Sequence, residues 1–366
     1  MTNSTPDKAV SLKTRLIEQI TLEGPMTVAD YMARCLLDPI DGYYTTRPAL
    51  GPDGDFITAP LISQMFGEMI GVWVAQTWLA LGSPQAFHLV ELGGGDGTLM
   101  SDILRVAKQV PGLREAARLV MLEPSPALRA QQAAIVPDAA FPDDMRDIPD
   151  DLPLIVIANE VLDCLPARQY VRTDEGWRER LVGLDDDGSL CFGLQASIAD
   201  FLPDNGEALG ALLEISPEQQ RFTLNWADKL KQTTGALLLI DYGRAEPGTG
   251  DSLQALSRHE KRDPLDEPGH HDLTIWADFP VIARIAADSG LGTTAITPQR
   301  AFLQDLGIDA RLAALSTKNP DQAAKLQRQY ERLMAPDQMG DLFKVLAMAF
   351  PANLPLFALE PAPTQP

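Results

Sequence analysis

The segment Glu91-Leu-Gly93-Gly-Gly95-Asp-Gly97-Thr98 carries the residue types that most directly imply ligand chemistry. Glycines permit a tight turn and let a ligand approach backbone N–H groups closely. A helix beginning behind them favours an anionic group. The apolar run FHLVEL (87–92) precedes the turn and the amphipathic stretch Thr98 to Val110 follows it, so the turn joins a strand to a helix. A dinucleotide fingerprint, GxGxxG or GxGxxA, fails in both registers, because its last position falls on Thr98 or on Met100. No GxxxxGK motif of a P-loop occurs.

Three further apolar runs end in an acid: RLVMLE (118–123), LIVIANE (154–160) and GALLLID (235–241). Apolar strands alternating with helices indicate a parallel sheet covered on both faces, a doubly wound α/β fold. Such sheets bind ligands beyond the carboxyl ends of their strands. Glu123, Asn159, Glu160 and the pair Asp241-Tyr242 therefore fall at one sheet edge with the glycine turn. The pattern E-x-G-x-G-x-G is similar to the loop of doubly wound S-adenosylmethionine enzymes. That resemblance implies that Glu91, Gly93, Gly95, Gly97 and Thr98 lie against the methionine part of the cofactor. It also implies that Glu123 accepts hydrogen bonds from the ribose hydroxyls, where two vicinal hydroxyls match the two oxygens of one carboxylate. NAD presents a ribose there as well, so this acid alone does not separate the two cofactors. Asp143, of the Asp143-Asp144 pair, stands where enzymes of this class often contact adenine, although simple surface charge accounts for the pair equally well.

The elements that must position these groups follow the chain. Helical spacing puts Leu12, Leu16 and Ile20, then Val28, Tyr31, Met32, Cys35 and Leu36, each on one face. Residues 38–60 read as loop, and 61–81 as a second helix with Trp73 and Trp78 in the core. Residues 1–85 are thus expected to form an N-terminal helical extension, and 86–350 a core with two insertions. One is a hairpin at about 167–195, with a DDDGS turn. The other, about 243–335, begins as a long Asp-, Gly- and Pro-rich loop to residue 272 and then has helices near 278–289, 298–306 and 320–334. MGDLFKVLAMAF (339–350) supplies a last strand. The 16 residues after Phe350 contain five prolines and are expected not to pack.

A longer ordered series of phrases resembles the MidA family of S-adenosylmethionine-dependent methyltransferases, which includes a mitochondrial complex I assembly factor that methylates protein arginine. The phrases are DGYY (41–44), GDFITAPLISQMFGE (54–68), ELGGGDGTLMSDILR (91–105) and LEPSPALRAQQ (122–132). They continue with NEVLDCLPARQYV (159–171), LLIDYG (238–243), GDSLQALSRH (250–259), PGHHDLT (268–274), AFLQDLGI (301–308) and MGDLFKVLA (339–347). The resemblance implies a Rossmann-like class I methyltransferase core, S-adenosylmethionine as cofactor, and a protein-arginine substrate such as a complex I subunit. Transfer to guanidinium needs carboxylates that grip it in forked hydrogen bonds. Glu160 and Asp163 are the candidates for catalysis, with Glu160 favoured. A helix cap for Asp163 and a structural salt bridge for Glu160 are the plain competing readings. Asn159 is expected to hold backbone or cofactor. By the same resemblance Thr58, Ser63 and Gln64 close over the cofactor and Asp55 over the substrate. Asp241 and Tyr242, ending another strand at the same sheet edge, are expected to line the substrate side.

Three positions depart from the family pattern. Leu61 stands where glutamate is common, and Gly94 and Asp96 where proline and arginine are usual. These departures are the sequence basis for a rival reading, a cofactor-binding assembly scaffold without catalysis. A methyltransferase acting on a small molecule is a second rival.

Composition excludes several classes. The chain has 366 residues, 51 acidic and 30 basic, for a net charge of −21, which leaves little positive charge for a nucleic-acid face. Cys35, Cys164 and Cys191 are far apart and in no CxxC pair, so neither a disulfide framework nor a zinc site is indicated. His270-His271 is adjacent rather than spaced as two helix-face ligands, and no metal is expected. The longest apolar stretch, Met69 to Leu81, is short of the about 20 residues a bilayer span needs. With no leader pattern at the start, a cytoplasmic location is expected. The sequence does not fix an oligomeric state.

Overall fold

Strands buried on both faces account for the apolar runs. The computed structural model describes residues 10–46, 58–257 and 260–362. Of these, 58–164, 218–248 and 276–362 form one compact unit, and 10–46, 165–217, 249–257 and 260–275 another. The N-terminal 85 residues thus divide between the two.

The larger unit carries the glycine turn. Its elements are α1 (Gln64–Ala80), β1 (Phe87–Leu92), α2 (Thr98–Ala107), β2 (Ala117–Leu122), α3 (Pro126–Ile135), β3 (Leu154–Asn159), α4 (Pro217–Thr233), β4 (Gly235–Arg244) and β5 (Phe343–Phe350). The strand order is β5-β4-β3-β1-β2, with Gly292–Thr293 added beyond β5. β2, β1, β3 and β4 are parallel and β5 is antiparallel to β4. Every residue of β1 and β3 is buried, and each large aliphatic side chain so placed contributes about 1.5–3 kcal/mol. This is the doubly wound α/β fold expected from the alternating runs. Register places Glu91 opposite Met121 on one side and Ile157 on the other, and Asn159 opposite Ile240. The residues following these strands therefore emerge at one edge.

The helix expected over 61–81 is broken at Ser63, whose hydroxyl accepts the Met65 N–H and caps α1. Trp73 and Trp78 are buried as expected, and the Trp78 indole N–H donates to the Pro84 carbonyl. Helices Phe279–Asp288, Gln299–Asp305 and Ala323–Met334 fall where spacing put them, and Ile308–Lys318 is an additional one. The tail after Phe350 packs, contrary to expectation, as far as it is described. Leu359 is buried, Leu354 and Leu356 lie against the core, and the Ala295 N–H donates to the Glu360 carbonyl. Apolar residues between the prolines supply the burial that proline content alone does not reveal.

The smaller unit begins with helices Leu12–Glu23 and Val28–Leu37, and the residues expected on their inner faces are buried. The segment read as one hairpin is three consecutive antiparallel strands, Arg168–Thr173, Gly176–Leu184 and Leu190–Ile198. Leu212–Ile215 and Met26–Thr27 complete that sheet. The long loop read over 243–272 also contains strands: Gln254–Ser257 pairs with Glu260–Arg262 and with Asp272–Thr274. Three- and four-residue strands are too short to show an alternation in sequence. Among the described residues no helix is long and apolar enough to cross a membrane.

Candidate cofactor and methyl-transfer site

Gly93, Gly95 and Gly97 take φ values of +59°, +54° and +92°, a region that side-chain-bearing residues enter at a cost. The turn closes through Gly93 N–H to the Leu122 carbonyl and Gly97 N–H to the Gly94 carbonyl, each at 2.9 Å. A Cβ at Gly94 would stand 2.7 Å from Met121 Cε and 3.0 Å from Glu91 Cδ, so the turn is seated directly on the Glu91 side chain. Asp96, the acid that departs from the family pattern, is engaged locally: its Oδ1 accepts the Thr98 N–H at 2.9 Å, at the start of α2.

Glu91 and Glu123 are both buried, and burial pushes both carboxyls above the usual range. For Glu91 the charges of Asp96 and Glu123 push in the same direction. Glu123 accepts the Ser125 N–H at 2.9 Å and the Gln132 side-chain amide at 3.2 Å. Asp143, the expected adenine contact, is paired with Arg129 at 2.7 Å and its side chain is 87% exposed. Arg129 also donates to the Glu123 and Pro142 carbonyls, so it ties the loop carrying Asp143 to the backbone of Glu123. Gln132 and Arg129 were not singled out by sequence, although both lie in LEPSPALRAQQ.

Beyond β3 the chain turns sharply. Glu160 has φ +54° and its N–H donates to the Ile240 carbonyl at 2.9 Å. Its Oε1 accepts from Asn159 Nδ2 at 3.1 Å and from the Ala59 N–H at 3.3 Å. The Thr58–Ser63 segment therefore borders Glu160. Ser63 itself is buried and used as a cap, and Gln64 is exposed. Asp55 lies outside the described residues. Asp163 is buried and accepts the Tyr242 hydroxyl. Tyr242 is thus a partner of Asp163, edge-on to Phe343 with ring centroids 5.5 Å apart.

Asp241 corrects the expectation that it lines the substrate side. It is fully buried, and its Oδ2 accepts the N–H groups of Val161, Leu162 and Asp163 at 2.9–3.2 Å, while Oδ1 accepts that of Tyr242. Its carboxylate holds the 161–163 turn together and so aims Glu160 and Asp163. Asp241→Ala leaves these four backbone donors without their acceptor, at about 1–3 kcal/mol for each that is buried. It is expected to lower the unfolding midpoint in denaturant and to depress methyl transfer together; unchanged stability would contradict the bonding described.

Burial raises the Glu160 carboxyl to about 7, helped by the Asp163 charge and opposed by Asn159 and the Ala59 N–H. Burial likewise raises Asp163 to about 6 against the Tyr242 hydrogen bond. Among the described residues no lysine or arginine pairs with Glu160 or Asp163. The competing reading of Glu160 as a structural salt bridge therefore has no basic partner there.

Glu91 Oε2, Gln132 Oε1 and Asn159 Oδ1 are buried acceptors with no hydrogen-bond partner. An α-ammonium group and ribose hydroxyls are donors, so S-adenosylmethionine suits the unmet groups of this edge. A doubly wound sheet with a strand–glycine turn–helix unit and an acid at the end of the next strand is the architecture of a Rossmann-like methyltransferase.

Comparison with known proteins agrees. Residues 69–297 match the family described as S-adenosyl-L-methionine-dependent methyltransferase. The mitochondrial protein arginine methyltransferase NDUFAF7 of Bos taurus is 35% identical over 91% of this chain and 82% of its own length. That of Danio rerio is 33% identical over 94% and 88%. A Burkholderia thailandensis protein of the COG1565 superfamily, solved with S-adenosyl-homocysteine bound, superposes with a TM-score of 0.83 at 27% identity, covering 95% of this chain and 94% of that one. The chain belongs to this family of S-adenosylmethionine-dependent methyltransferases. One expectation is overturned: the curated relatives are mitochondrial proteins, which conflicts with the cytoplasmic location read from the sequence.

Proposed function

We propose that the protein transfers a methyl group to an arginine side chain of a partner protein, a subunit of respiratory complex I being the partner implied by family resemblance. The observation that carries the reading is the pair Glu160 and Asp163, carboxylates beyond β3 with no basic partner among the described residues. A guanidinium provides the missing positive charge and matches a carboxylate with paired N–H donors. The curated relatives' activity on protein arginine supports the same target.

S-adenosylmethionine, when bound, supplies an electrophilic methyl on a sulfonium. Glu160 would hold the guanidinium through its free oxygen and keep positive charge on the nitrogens that are not methylated. Asp163, fixed by Tyr242, would orient the same group from the other side. Transfer leaves a surplus proton on the methylated nitrogen, and a carboxylate with a pKa raised toward neutrality is suited to take it.

The pH dependence follows. The gripping form of Glu160 is the carboxylate, and a raised pKa means that this form is lost as pH falls through about 7. Apparent kcat/KM for a protein substrate is expected to be level above that pH and to fall about tenfold per unit well below it. A profile flat from pH 5 to 8 in the rate of labelled methyl incorporation would remove Glu160 from this role. The defining experiment transfers labelled methyl from S-adenosylmethionine into an extract of cells lacking the protein, with products resolved by gel and peptide mass spectrometry. Label on one arginine of one protein is the expected result. Label only in small molecules, or none despite tight cofactor binding, rejects the proposal.

A further inference from the structure

Gln132, on α3, is fully buried, and its side chain joins two parts of the site that are distant in sequence. Nε2 donates to the Gly95 carbonyl at 2.8 Å and to Glu123 Oε2 at 3.2 Å. Both partners are acceptors only, so the NH2 group must face them; the flipped amide would set oxygen against two oxygens. Gly97 lies against the same residue, since a Cβ there would stand 3.4 Å from Gln132 Cα.

We propose that Gln132 is a positioning residue that fixes the Glu123 carboxylate to the glycine turn and so sets its geometry for the cofactor ribose. This inference rests on the reading of Glu123 as the ribose acid. Glu123 has two oxygens to aim: Oε1 is held by Ser125, and Oε2 has Gln132 as its side-chain partner. Without Gln132 the second oxygen is free to rotate off the hydroxyls, and the Gly95 carbonyl loses its side-chain donor. Gln132 itself need not touch the cofactor for this effect.

The test compares S-adenosylhomocysteine with its 2′-deoxy and 3′-deoxy ribose analogues by calorimetric titration of the full chain, in wild type, Gln132→Leu and Gln132→Glu. In wild type, removing a hydroxyl held by Glu123 is expected to weaken binding on the order of tenfold. In Gln132→Leu, affinity for the intact ligand is expected to fall by a similar factor and the deoxy penalty to shrink toward unity. A merely structural role would weaken all three ligands equally and leave the penalty intact, which overturns the inference. Gln132→Glu keeps the size and covers the case in which the leucine variant does not fold. Its carboxylate sets oxygen against the Gly95 carbonyl and Glu123, so the deoxy penalty should shrink there as well; an intact penalty overturns the inference. Absence of any deoxy penalty in wild type overturns the assignment of Glu123 instead.

Discussion

Glu160→Gln should reduce methyl transfer to a protein substrate by about 100- to 1,000-fold while leaving the Kd for S-adenosylhomocysteine nearly unchanged. The substitution preserves size, and the existing contacts decide its orientation. Glu160 Oε1 already accepts from Asn159 and from the Ala59 N–H. A glutamine must keep its oxygen there, which turns its NH2 toward the place where a guanidinium would donate. Donor then meets donor, and the negative charge is gone. Asp163→Asn should cost less, because its Oδ2 is occupied by the Tyr242 hydroxyl and only part of its acceptor capacity faces outward. Single-turnover transfer of labelled methyl beside a titration of the cofactor product separates the two quantities. An unchanged transfer rate in Glu160→Gln would exclude it from catalysis.

Gly235→Ala is expected to be the most destabilising small substitution in the larger unit. Gly235 opens β4 at φ +134°, conformational space essentially reserved for glycine. An added Cβ would stand 1.9 Å from the Leu154 carbonyl oxygen and 2.9 Å from the Leu154 nitrogen. Those are backbone atoms of the neighbouring central strand, paired in register with Gly235 itself, so relief requires moving β3 against β4. The cost should exceed about 3 kcal/mol, a large part of the about 5–15 kcal/mol by which a domain is stable. Chemical denaturation would show the midpoint displaced to much lower denaturant. Unfolding coincident with wild type would mean that the β3–β4 register is not as described.

The parts legible in the sequence are those in which one residue type has one physical purpose over a short stretch. The glycine turn between FHLVEL and Thr98, the acids ending successive apolar runs, and the buried faces of the first two helices all have this local character. Asp241 is the opposite case. Its type and its place at the end of β4 suggested a ligand contact, but its partners are backbone N–H groups some 80 positions away in the chain, and nothing local announces them. Gln132 is similar: an amide on an ordinary helix gains meaning only because Gly95 and Glu123 converge on it. The strands within 254–274 escaped notice because each is three or four residues long and their stretch is rich in charge. Ile308–Lys318 fell between the helices read at 298–306 and 320–334; it is bounded by Gly307 and Pro320, but only Ile308 and Leu315 of it are buried, too few to show an apolar face in the sequence.

The left-handed backbone at Glu160 has an evolutionary consequence. Glycine or asparagine would sit there with less conformational penalty, by about 1–2 kcal/mol for glycine. With Glu160 in the role proposed for it, fold and turnover place opposed demands on one codon. A mutant library sorted only for heat resistance would drift toward those two residues at position 160 and accumulate well-behaved, inert protein. One sorted for turnover would retain glutamate and improve its stability elsewhere. Enrichment at this single codon under the two regimes would report how strongly catalysis, rather than architecture, dictates the conformation of the turn.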